Sequence, residues 1–423
     1  MNATAMKWSL VSRPLALVVI LTSALVAGCG RESRPTLGPT PASSVTSVGP
    51  RPSINEVKDA IRRGHSSLRS FRADVVLTRA GLAGETRTTL EWTARGTIKE
   101  SKSEPRNERV ILYNAEQGSR LRYNKPASDL GAPTVLIETG VAPESQTPLA
   151  PAEATVARAD PIGYARSVIA WDDVAVSRSS VDGRAAWVVQ RSSPGADPDF
   201  QAITIDEQSG LALRIQALNG GQPEYEMRVE NLVIDGEGEP SFAVPPGTIT
   251  RSADQGFTRM TLQQARRSAP YDPLLPAWLP AGFTQAEVAY FSPPSGATGR
   301  AGPGPAVRPD PPRVVSIAFR RGLELFVVST SLRGWFSERP TGSTFPSGET
   351  PDGEVGARNP PKIEKVSLSQ GPFVGRQAER WLANDGSARA VLSAANDELD
   401  VRIIGDVTSD EVARIAESLQ PAR

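Results

Sequence analysis

Glu224-Tyr225-Glu226-Met227-Arg228-Val229-Glu230 alternates charged and apolar side chains without a break. Successive side chains of a β-strand point to opposite faces, so Tyr225, Met227 and Val229 share one side and four charges the other. An antiparallel strand with one buried and one wet face reads this way. Outward from it, the same period runs through Glu85–Arg95, Arg109–Asn114, Arg120–Tyr123, Ala186–Arg191, Phe200–Asp206 and Leu211–Leu218. Val181-Asp182-Gly183-Arg184 and Asp206-Glu207-Gln208-Ser209-Gly210 supply hairpin turns between them. Before these strands, Ser53-Ile54-Asn55-Glu56 fits a capping box, and Ile54, Val57, Ile61 and Leu68 recur at helical spacing through Ser70. Asp160-Pro161 opens a second short helix through Ile169, with the acid at the cap and proline at the first helical position. Residues 126–159, rich in Pro and Ala, read as a long loop.

The fold class is therefore α+β, a large curved antiparallel sheet of roughly seven to nine strands with few helices. Two small helices cannot cover such a sheet. Either it closes on itself around its own side chains, or it leaves an apolar concavity for a ligand, and the period leaves both open. This unit spans 53–247 and ends at Phe242-Ala243-Val244-Pro245-Pro246-Gly247; a polar linker, 248–257, follows it.

The second unit, 258–423, reads as a smaller α+β domain. Thr261-Leu262-Gln263-Gln264 caps a short helix, and Phe283–Phe291, Val314–Arg320, Glu324–Ser331, Gln377–Ala383, Arg389–Ala395 and Glu398–Ile404 read as strands. Thr408-Ser409-Asp410-Glu411 caps a closing helix with Val412, Ile415 and Leu419 on one face. Pro/Gly-rich inserts at 292–313 and 339–361 read as surface loops.

The N-terminus carries an address. Lys7 and Arg13 precede an apolar run from Leu15 to Val26, followed by Ala27-Gly28-Cys29. A membrane-spanning helix needs about 20 apolar residues; a basic start, a shorter apolar core and small exit residues describe a secretory signal. Val26-Ala27-Gly28-Cys29 resembles the bacterial lipobox, which implies cleavage after residue 28 and lipidation of Cys29. The chain has one cysteine, and it falls at the position that motif requires. Each buried methylene adds about 0.8 kcal/mol of membrane affinity, so two or three acyl chains, palmitate among them, hold a protein stably on a bilayer. Residues 29–52, with Pro35, Pro39, Pro41, Pro50 and Pro52 and almost no large apolar side chain, read as a disordered tether. The expected location is extracytoplasmic, at the cell membrane.

Counting excludes several chemistries. The 423 residues include 47 basic and 47 acidic side chains, so no cationic excess suits a general nucleic-acid binder. One cysteine and one histidine exclude an intrachain disulfide and a Cys/His zinc or haem site. Any histidine-dependent catalysis would fall to His65 alone, which lies near the apolar stripe of the first helix and reads as a packed residue. Gly302-Pro303-Gly304-Pro305 lacks the following Lys-Ser/Thr of a phosphate loop. Asp172-Asp173, beside Trp171, reads as a solvated turn, and Gly334-Trp335-Phe336 as packed aromatics. No catalytic residue, metal ligand or cofactor is expected, and no ligand-binding residue can be named from spacing.

The opening helix, the antiparallel meander, Val181-Asp182-Gly183-Arg184 before the strand with Trp187, the segment Ile203–Arg214 with its Asp206–Gly210 turn, and the closing Phe-x-Val-Pro-Pro together resemble the LolA/RseB-type lipoprotein-carrier fold over about 53–247. Leu279-Pro280-Ala281-Gly282-Phe283 and Ser409–Leu419 make the second unit similar to the C-terminal domain of RseB-like proteins. The resemblance implies a half-open β-barrel whose apolar cavity is lidded by helices. It implies a non-enzymatic role, either binding a lipid or acylated ligand or, as the alternative, binding an anti-sigma factor at the membrane.

Overall fold

The computed structural model describes residues 52–80, 84–104, 107–127, 131–143, 160–192, 199–291, 313–333, 362–382 and 390–422. The expected leader, Cys29, nearly all of the tether, residues 144–159, Gly302–Pro305, Gly334-Trp335-Phe336 and the two inserts apart from Arg313 lie outside these residues.

The chain is mostly β. Helix α1 (Ile54–Ser67) begins on the expected capping box, with Ser53 Oγ accepting from the Glu56 N–H and Glu56 accepting from the Ser53 N–H. It stops three residues sooner than its apolar spacing suggests, because Leu68 takes an extended conformation. A twelve-stranded sheet follows. Its strands are β1 (Ser70–Arg79), β2 (Glu85–Thr93), β3 (Thr97–Glu104), β4 (Asn107–Asn114), β5 (Ser119–Pro126), β6 (Thr134–Thr139), β7 (Ala175–Val181), β8 (Arg184–Ser192), β9 (Phe200–Asp206), β10 (Ala212–Asn219), β11 (Gln222–Ile234) and β12 (Ile249–Asp254). Helix α2 (Pro161–Ser167), with a one-turn 3-10 extension over Val168–Ala170, lies between β6 and β7 in the chain. The order across the sheet is β12-β6-β5-β4-β3-β2-β1-β11-β10-β9-β8-β7. Two meanders are thus spliced at β1 and β11, and the sheet is open, with β12 and β7 as edges.

Local chemistry sets the turns. Asp182 and Gly183 both have positive φ (50° and 79°), the left-handed pair that a two-residue hairpin between twisted strands requires. Gly220 and Gly221 repeat the device between β10 and β11. Two expectations need correction. Residues 126–159 are not all loop, since β6 pairs with β5. The stretch 248–257 is not a free linker. Ile249–Asp254 pairs parallel with β6 as the edge of the first sheet, and two residues later β13 (Phe257–Arg259) already belongs to the second sheet.

The second sheet holds β13, β15 (Thr284–Phe291), β16 (Val314–Arg321), β17 (Glu324–Leu332), β18 (Lys362–Ser367), β19 (Gln377–Leu382), β20 (Ala390–Ala395) and β21 (Leu399–Gly405), in the order β13-β15-β16-β17-β21-β20-β19-β18. Helices α3 (Leu262–Ser268) and α4 (Ser409–Glu417) begin on the capping boxes expected at Thr261 and Thr408. A small ribbon pairs β14 (Leu274–Pro276) with β22 (Leu419–Pro421). The core of this unit stacks Phe319 on Phe326 (ring centroids 4.9 Å apart) under Val412 and Ile415 of α4. No helix among the described residues is long and apolar enough to cross a membrane.

Candidate functional site

Residues directly paired across strands project to the same face, so the register identifies what each side of the first sheet carries. One face supports α1 and α2. Over β1, β2 and β8–β11 it is apolar, with Phe71, Ala73, Val75, Trp92, Val189, Ile203, Ile205, Ile215, Ala217, Met227 and Val229 all buried. Val57, Ala60 and Ile61 of α1, and Ile162, Tyr164, Ala165 and Val168 of α2 and its extension, pack onto it. Among the described residues this half of the face is covered by the chain's own helices, although the sheet does not close on itself, so neither of the two arrangements left open by the strand period is met in full.

Two features break the apolar surface. The indole N–H groups of Trp92 and Trp187, on residues 7% and 8% exposed, have no acceptor among the described residues. A buried donor without an acceptor costs about 1–3 kcal/mol. A short polar string also crosses the face: Arg191 lies 4.4 Å over the Trp171 ring and donates to Gln201 Oε1 (2.7 Å), and Gln201 Nε2 donates to the Tyr225 hydroxyl (2.8 Å).

Toward β12 the polarity reverses. Following the register from Ala73 and Leu90, one row reads Glu100, Ile111, Arg122, Leu136, Arg251. The adjacent row, from Val75 and Thr88, reads Lys102, Arg109, Asn124, Thr134, Ile249. Here the apolar cluster sits on the opposite face, where Val110, Tyr123 and Val135 are buried and the Phe242 ring lies 5.0 Å from that of Tyr123. The Phe-x-Val-Pro-Pro segment therefore seals the back of β4–β6. The helix-bearing side of the same strands stays polar, with Ile111 (40%) and Ile249 (50%) exposed.

The two sheets meet at a buried charged junction. Gly64 of α1 lies against the Ser209-Gly210 turn, where a Cβ would come within 2.2 Å of the Ser209 carbonyl. Gly322, in the β16–β17 turn, has φ +55°, and a Cβ there would meet the His65 carbonyl at 2.1 Å. These close approaches bring His65 between Glu324 Oε1 (Nδ1, 3.0 Å) and the Gly210 carbonyl (Nε2, 3.0 Å). Both partners accept, so both bonds form together only when each ring nitrogen carries a proton. Arg166 of α2 donates to the same Glu324 oxygen and, at 3.2 Å, to Glu411, the capping-box acid of α4. Arg321 Nε donates to Glu324 Oε2 at 2.5 Å. His65, Arg166 and Glu324 are all essentially without solvent contact. Burial alone would raise the Glu324 carboxyl, but Arg166, His65 and Arg321 outweigh it and hold it far below the usual carboxylate range.

His65 is thus a buried residue that ties α1 to the second sheet. Its partners stand 145 and 259 positions away, beyond the reach of any spacing argument. A glutamate opening a strand whose next four residues, Leu325-Phe326-Val327-Val328, are all apolar is the one signal that could have singled out Glu324. Asp172 is exposed and pairs with Lys58 at 3.0 Å, the solvated turn expected of it.

No family model matches the chain, and no curated protein matches it. Among solved structures it is similar to the MucA/MucB complex of Pseudomonas aeruginosa (18% identity, 88% of this chain and 98% of that chain covered, TM-score 0.28). It is also similar to LprF from Mycobacterium bovis (13% identity, 45% and 99% covered, TM-score 0.28) and to a LolA superfamily protein from Nitrosomonas europaea (11% identity, 43% and 94% covered, TM-score 0.19).

Proposed function

We propose that the chain is a non-enzymatic binding protein of the bacterial envelope, anchored through lipidated Cys29, that takes an acyl chain of a lipid or acylated ligand against the apolar half of its first sheet. The observation that carries this reading is an apolar sheet face roofed, among the described residues, by α1, α2 and a one-turn extension, with two indole donors left without acceptors. An alkyl chain replacing Ile162, Ala165 and Val168 would keep that face out of water, and an ester or amide carbonyl would satisfy an indole. Each methylene so buried contributes about 0.8 kcal/mol. The guest requires α2 to move aside. A two-turn helix is marginal on its own, so the position of α2 depends on packing and on the Arg166 pairs. Titrating the purified chain with palmitate while following tryptophan emission tests the reading. A saturable blue shift is expected, and unchanged emission to millimolar ligand contradicts it.

A second reading, a regulatory protein that engages an anti-sigma factor at the membrane, draws support from the other half of the same face. Arg109 and Arg251 share that face, and two aliphatic side chains, Ile111 and Ile249, lie exposed beside them. Capture of such a protein's extracytoplasmic segment at one-to-one stoichiometry is its expected result.

A further inference from the structure

We propose that β12 is a docking edge, and that its occupant is an extended segment of a partner protein carrying alternating acidic and aliphatic side chains. This site lies apart from the acyl-binding half of the sheet and does not depend on it.

The backbone supports the inference first. The Ile249 N–H donates to the Pro133 carbonyl and the Gln255 N–H to the Thr139 carbonyl, both toward β6. In a parallel pair the direction alternates along the strand, so odd-numbered residues of β12 face β6 while Thr250, Ser252 and Asp254 direct their N–H and C=O groups away from the sheet. No described residue bonds those outward groups. The strand contains no proline and no bulge, the usual devices that close an edge. A free, regular edge of six residues is a template for an added strand.

Side chains then select the occupant. On the helix-bearing face an added strand would lie beside Ile249, Arg251 and Ala253, and on the other face beside Thr250 and Ser252. Arg251 continues the row of Arg122 and Ile111, and Ile249 the row of Arg109 and Lys102. Across β3–β6 and β12 this face holds Lys102, Arg109, Arg120, Arg122 and Arg251 against Glu100, Glu104 and Glu138, and Glu138 is fully buried beneath Arg120 and Arg122. Opposite charges directly across a strand pair are favourable and like charges unfavourable. An added strand that turns its acidic side chains to the helix-bearing face sets a carboxylate beside Arg251 and its aliphatic side chains beside Thr250 and Ser252, whereas lysines on the helix-bearing face would be repelled.

The test uses the full chain in detergent and a fluorescein-labelled octapeptide of alternating Glu and Val, with a Lys/Val octapeptide as control. Binding of the Glu/Val peptide alone is expected. Ser252→Pro removes an outward N–H without touching the bonds to β6 and should weaken that binding at least tenfold. Arg251→Glu should reverse the preference toward the Lys/Val peptide. Unchanged circular dichroism and palmitate binding in both variants separate loss of the edge from loss of the fold or of the acyl site. Equal binding of the two peptides, or indifference to Ser252→Pro, overturns the proposal. So does a self-association or an adsorption to phosphatidylglycerol vesicles that Ser252→Pro abolishes while peptide binding is absent, since either would assign the edge to a second copy or to an anionic membrane.

Discussion

Glu324 accepts from His65, Arg166 and Arg321 in the buried junction, and so it determines whether the two guanidinium charges are tolerated there. Removing one partner from a buried ion pair typically costs about 3–5 kcal/mol, because the remaining charge is left unpaired. Glu324→Gln should therefore lower stability by that order in a urea titration, and a loss under about 1 kcal/mol would show that the cluster does not join the sheets energetically. The pH response has a definite sign. The Glu324 carboxyl is held below its ordinary value, and so is that of Asp206, where burial is outweighed by Arg184 and Ser209. A depressed carboxyl contributes stability that is fully present above the unfolded-state value, about 4, and is lost as pH falls toward the folded one. Thermal midpoints should therefore drop steeply below about pH 4, and less steeply in Glu324→Gln. At this scale little could be read beforehand. Helical spacing places His65 near the stripe of α1, but nothing in a local window connects it with a carboxylate in the other sheet.

At the scale of elements, α2 links the two halves of the molecule. Asp160 Oδ1 accepts from the Gly163 N–H, Pro161 fills the first turn, and all seven helical residues are buried. Arg166→Met keeps much of the stem's packing and removes the ties to Glu324 and Glu411. Faster amide hydrogen exchange in Ile162–Val168, with β10 and β11 unchanged, is expected; equal protection in both proteins would mean that packing alone holds the helix. The start of α2 was legible from Asp160-Pro161, and the caps of α1, α3 and α4 from their capping boxes, because capping is a local matter. Several strands escaped notice, β1 among them although Phe71, Ala73 and Val75 alternate along it. β3 (Thr-Ile-Lys-Glu-Ser-Lys-Ser-Glu), β7 and β12 are polar on both faces, so a period of two in hydropathy does not mark them. β6 was hidden by the Pro/Ala-rich composition around it.

For the whole molecule, the sheet exchanges its apolar side between its two halves, and this divides its tasks. One half is covered by helices, where the proposed acyl chain would lie, while the other is sealed behind by Phe242 and presents arginines and an edge strand in front. Alternation within each strand was visible in the sequence. The exchange was not, because it appears only when the register aligns β4–β6 with β1 and β2. Anchoring belongs to this scale too. Cys29→Ser should move the chain from the membrane fraction to the soluble fraction on cell breakage, and an unchanged distribution would contradict lipidation at that residue. The acyl-binding claim is tested most directly by mass spectrometry of organic extracts from the chain purified in mild detergent, with Ala217→Trp, which fills the buried face, as the comparison. One acyl lipid per chain, absent from a folded Ala217→Trp variant, is the predicted result; extracts free of acyl lipid beyond the anchor, or equal amounts from both proteins, would contradict it.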